Sequence, residues 1–164
     1  MFFKSRSKRI ISLAIIMGFI FISGCSKYNS VVLNNTTYSA IKKYLEEDIM
    51  KASFGGKIFV SFQVLGTRKN EIYVWALIKE YYKENNSTKA GSGQAGPLVL
   101  KFNNSVNDVI IGHTSPSDGT AYKDDVKKMF PKCLHDIILA FPTAESSRCL
   151  DNNIIEQIVE WEKQ

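Results

Sequence analysis

The chain has 164 residues, 45 % of them hydrophobic, and carries 21 Lys and Arg against 16 Asp and Glu. Lys4, Arg6, Lys8 and Arg9 supply most of the excess: residues 25–164 hold 17 cations against 16 acids, close to neutral. No basic stripe is left to mark a nucleic-acid surface, and a chain of this size suits one domain with a tether.

The four cations precede Ile10 to Ile22, a stretch without charge, and the small residues Ser23 and Gly24 follow. A charged start, a short apolar run and small residues before a cut describe an export signal. From Ile10 to Gly24 there are 15 residues, short of the ~20 that a helix needs to cross a ~30 Å hydrocarbon core. An uncleaved signal anchor is the competing reading. Ile22-Ser23-Gly24-Cys25 resembles the lipobox of bacterial lipoproteins. That resemblance implies cleavage after Gly24, S-diacylation of Cys25 and acylation of the new amino terminus. Each buried CH2 contributes ~0.8 kcal/mol, so two or three chains anchor firmly where one does not. The expected division is a signal peptide at 1–24, a lipidated tether at 25–35 and a single domain at 36–164. Ser26 resembles the residue after the cysteine in outer-membrane-directed lipoproteins of cells with two membranes; with one membrane, the expected address is its outer surface.

An exported chain passes into an oxidising setting where disulfides persist. With Cys25 taken by lipid, Cys133 and Cys149 remain as an even pair. Bridging them closes a loop of about 16 residues, worth ~3 kcal/mol in the chain-entropy account. Two free thiols are the alternative.

Along the domain, Thr37 is a candidate helix cap. Tyr38, Ile41, Leu45, Ile49 and Ala52 recur at helical spacing up to Gly55-Gly56. Lys42 and Lys43 stand one turn from Glu46 and Glu47, an exposed face of opposite charges. Ile58 to Leu65 alternates as a strand, Gly66–Asn70 turns, and Glu71 to Lys83 alternates again, with Ile72, Val74, Ala76 and Ile78 on one face and Tyr73, Trp75, Leu77 and Tyr81 on the other. The short connection predicts an antiparallel hairpin. Glu84 to Gly96 reads as a polar loop, Pro97 opens a third strand, and Val109 to Thr114 forms a fourth.

After Pro116 the pattern turns helical. Tyr122, Val126, Met129 and Phe130 share one face, Leu134, Ile137, Ile138 and Phe141 a second, and Ile154, Ile155 and Ile158 a third, with Asp151 or Asn152 as its expected cap. The predicted fold class is α+β: an N-terminal helix on a four-stranded antiparallel meander, then two or three C-terminal helices. This order of elements is similar to cystatin-like folds. The stretch from Pro116-Ser117-Asp118-Gly119 through Tyr122 to Met129-Phe130-Pro131 resembles a segment recurring in uncharacterised exported or membrane-linked proteins of low-GC bacteria, and brings no activity with it.

Several residues invite chemistry. Gly91-x-Gly93-x-x-Gly96 matches a dinucleotide fingerprint, but a strand rather than a helix is expected after it, so no helix dipole would meet a phosphate. His113 and His135 are the two histidines, and a zinc centre ordinarily needs three protein ligands. Ser115 or Ser117 with His113 and Asp118 is the local cluster offering a nucleophile, a base and an acid; a turn leading into a helix explains the same residues. No catalytic, metal-binding or cofactor-binding residue is therefore expected. Phe59, Tyr73, Trp75 and Tyr81 form either a core under the C-terminal helices or an exposed binding patch. The expected function is a non-catalytic, membrane-anchored binding or structural module of the cell envelope, held through Cys25 and presenting its sheet or the Lys83–Gly96 loop to an envelope protein. An inhibitor or immunity-type protein acting on an exported enzyme is the alternative, and a hydrolase using His113 comes last.

Overall fold

The computed structural model describes residues 33–103 and 109–163. The lipobox with Cys25 lies outside them.

Helix α1, Asn35–Tyr44, begins under a cap from Asn34, whose side chain accepts the Thr37 N–H at 2.7 Å. The cap is thus Asn34 rather than Thr37, because the capping oxygen reaches the donor three residues on. One wide, π-type turn, Leu45–Ile49, extends the helix before Met50 becomes extended. The helix stops short of Gly55-Gly56 because the next backbone donors find another acceptor: Ser53, Phe54 and Gly56 all donate to the Glu80 carboxylate. Lys42 and Glu46 pair across one turn at 3.8 Å, as the spacing predicts.

Strands β1 (Lys57–Arg68), β2 (Glu71–Glu84), β3 (Ser87–Phe102) and β4 (Ile110–Thr114) form one antiparallel sheet in sequence order. Of the polar loop expected over Glu84–Gly96, Glu84 ends β2, Asn85-Asn86 turn the chain, and the rest is the first two-thirds of β3. Asn85 and Asn86 both adopt positive φ, 49° and 61°, the two-residue turn whose twist matches paired strands. Once that turn closes, Thr88, Lys89 and Ala90 meet Lys83, Tyr82 and Tyr81 in register. Cross-strand pairing decides the conformation of a segment whose glycines alone disfavour it.

The sheet is covered on both sides. On one, Ile41 and Leu45 pack on Val60, Val74, Ile78 and Leu100. On the other lie α2 (Tyr122–Met129), α3 (His135–Ala140, entered through a tight turn at Lys132–Leu134) and α4 (Ala144–Glu162). Val126, Phe130, Leu134 and Ile138 pack on Tyr73, Trp75 and Val99, while Ile154 and Ile158 close over Phe59. The aromatic face is therefore core, and burying each large side chain contributes ~1.5–3 kcal/mol. The predicted α+β architecture holds, with three C-terminal helices among the described residues.

Two details differ from expectation. Thr143, not Asp151 or Asn152, caps α4 by accepting the Ser146 N–H at 3.2 Å; Asp151 sits mid-helix, paired with Lys79 at 2.7 Å. Because α4 starts earlier, Cys149 lies on its body beside buried Leu150 rather than at a helix start. Cys133 and Cys149 are both exposed free thiols, and the expected staple does not join them here.

Candidate binding cleft

The β3–β4 ladder runs through Lys101↔Gly112, Leu100↔His113 and Val99↔Thr114. Two steps further, the same register would set Pro97 opposite Pro116. Neither has an N–H to give, so a ladder cannot continue through that point. It ends at Val99 and Thr114, and the chain from Ser115 leaves the sheet. The separation opens a cleft of about 360 Å3 with Gly93 to Leu98 on one wall and Ser115, Pro116, Asp118 and Tyr122 on the other.

Along this wall β3 has β2 on one side and no strand on the other among the described residues. Pro97 remains paired in register with Trp75. A proline holds such a place when its nitrogen faces the open side. Alternation then turns the N–H and C=O of Ala95 and Gly93 the same way, into the cleft. Gly96 adds space: a Cβ there would meet nothing within 4 Å, and its β2 neighbour Ala76 also lines the cleft. Asp118 is the one charged residue of the lining. Burial raises the pKa of the Tyr122 hydroxyl, which therefore stays protonated at neutral pH.

The fingerprint-like glycines are strand residues, and Gly91 has a packing role. A Cβ on Gly91 would lie 2.9 Å from Glu80 Oε2 and 3.0 Å from the Phe54 ring, so its absence makes room for a buried acid. Glu80 is fully buried. Burial by itself would push its pKa up, but the Ser92 hydroxyl and the N–H groups of Gly56, Phe54 and Ser53 outweigh that and bring it down to about 2. Sequence reasoning passed over this residue, although it continues the apolar alternation Ile72, Val74, Ala76, Ile78 by one step.

Of the expected hydrolase cluster, Ser115 and Asp118 line the cleft, while His113 and Ser117 make hydrogen bonds elsewhere. His113 Nδ1 shares a hydrogen bond with the Tyr44 hydroxyl at 2.9 Å, on the α1 side. The Ser117 N–H donates to Asp125 at 3.1 Å. Hydrogen bonds from Ser117, and Lys128 nearby, hold the Asp125 carboxyl below its ordinary range. His135 Nε2 donates to the Phe130 carbonyl at 2.8 Å, beneath the other face. Among the described residues no three His, Cys, Asp or Glu side chains stand together as metal ligands, and no helix is long and apolar enough to cross a membrane.

No protein-family model, no curated protein and no solved structure matches this chain.

Proposed function

We propose that the chain is a bacterial lipoprotein, anchored through lipid on Cys25 at the extracytoplasmic side of an envelope membrane, whose domain binds another envelope protein without catalysing a reaction. The leader with its Ile22-Ser23-Gly24-Cys25 ending supports the anchor, and the near-neutral remainder is no polyelectrolyte binder. The observation that carries the binding reading is the cleft where Pro97 and Pro116 end the ladder, which leaves strand-edge backbone facing a walled space. The contacts of His113 and Ser117 favour binding over hydrolysis, since each is already engaged away from a shared reaction centre.

The test is labelled-palmitate incorporation in cells that express the wild-type and Cys25→Ser chains, followed by crosslinking and capture from intact cells. Wild-type protein should carry label and a crosslinked envelope protein, and Cys25→Ser should lose the label and keep the leader. Label on Cys25→Ser, or native protein with the leader attached and the sulfur bare, sinks the anchor.

A further inference from the structure

We propose that the open edge of β3 accepts an extended peptide from another exported polypeptide as an added strand. The peptide lies between Gly93–Pro97 and Ser115–Asp118, with an aromatic side chain over Gly96 and a cationic one beside Asp118. The proposal rests on the binding-module reading and names the ligand of that same cleft.

A strand edge recognises an extended chain through main-chain hydrogen bonds, with pockets for alternate side chains giving selectivity. Here the donors and acceptors come from Gly93 and Ala95, with the Pro97 carbonyl as a further acceptor. The protein's own next segment cannot take the place, because Pro116 falls where the first donating residue would have to stand. Pro97 in turn blunts the edge against indiscriminate pairing, a common protection of exposed strands. The segment from Ser115 to Tyr122 walls the opposite side. A cleft of about 360 Å3 has the size of a few residues and not of a second folded sheet, which argues against another copy of this protein as the occupant.

The side-chain preferences follow from what lines the cleft. Gly96 is half-buried beside the small, buried Ala76 of β2, with open space where a Cβ of Gly96 would be. An edge glycine is complemented by an aromatic ring from the adjoining strand. Asp118 has no cation beside it in the lining, so a Lys or Arg on the incoming strand is the charge-matched neighbour.

The experiment uses the full lipidated chain in detergent and a short synthetic peptide of alternating Thr and Val containing one Tyr and one Lys. Two further versions carry N-methyl groups on one or the other set of alternate amides. Binding should slow hydrogen exchange at the Gly93 and Ala95 amides. One methylated set should lose affinity by roughly tenfold or more while the other keeps it, because only one edge of a strand faces β3. Ala95→Pro should weaken the peptide to a similar degree. Gly96→Leu should weaken the Tyr peptide more than its Ala analogue, which keeps the test open if Ala95→Pro does not fold. No binding, equal loss with both methylated sets, or protection elsewhere overturns the proposal. So does self-association that protects the same amides without peptide. A cellular partner crosslinked at a different surface would overturn this site while leaving the lipoprotein binding module standing.

Discussion

The Glu80 carboxylate on β2 accepts the Ser92 hydroxyl of β3 at 2.7 Å and the Phe54 N–H at 2.8 Å. One buried acid thereby ties two neighbouring strands to the segment that follows α1. With the Ser53 and Gly56 donors at 2.9 and 3.0 Å, its lone pairs are met without a cation, by hydrogen bonds that favour the charged form.

Glu80→Gln should therefore lower the melting temperature, because the amide nitrogen turns a donor toward backbone N–H groups. Amides of residues 50–56 should exchange faster in the variant. The pH dependence has a definite sign. The folded pKa, about 2, lies below the ordinary 4.5, so the contribution is complete above about 4.5 and disappears as pH falls toward 2. Melting curves of the wild type and Glu80→Gln should converge over that window; a constant difference down to pH 2 contradicts the account.

Gly91→Ala and Gly96→Ala should behave oppositely although both belong to the same glycine pattern. The first sets a methyl against Glu80 and the Phe54 ring at 2.9–3.0 Å, an overpacking that costs about 1–3 kcal/mol. The second enters open space, so its change should stay within about 0.5 kcal/mol. Urea unfolding of the two variants, side by side, is the measurement.

Ile138→Ala should cost about 2–5 kcal/mol, since that side chain is fully buried on the aromatic face of the sheet. Ile155→Ala, on the outer side of α4 at 53 % exposure, should shift stability by no more than about 0.5 kcal/mol. Equal effects in denaturant titrations would mean that the C-terminal helices do not cover Trp75 as described.

Cys133 and Cys149 should both react with iodoacetamide in the native protein, without denaturant or reductant, because both are exposed and unbridged. Mass spectrometry of intact protein counts the adducts. A pair that reacts only after reduction would restore the disulfide expected from the export signal.

Much of the fold was legible because local period is written into consecutive residues. The alternation through Glu71–Lys83 and the helical spacing of Ile41 and Leu45 each point to a face, and those faces are the ones buried. Where the reading failed, a partner distant in sequence had decided. The stretch 50–56 reads as the end of a helix by its spacing, and the glycines of β3 look like loop by composition. Glu80 reaches donors 24 to 27 residues before it and Ser92 twelve after it, and no window of neighbours displays that. The start of α4 was misplaced for a related reason: Thr143 and Asp151 are equally good caps in isolation, and only the second has Lys79 to bind instead.

What the chain determined by its own order is therefore the α+β succession, the direction of each face and the two prolines that cannot donate. Which residues those prolines stand against was settled only when β3 and β4 paired, because register is a relation between strands. The buried acid, the covered aromatics and the cleft beside Gly96 all come from that assembly. Each depends on which backbone groups find partners across the fold, and on which are left facing a space.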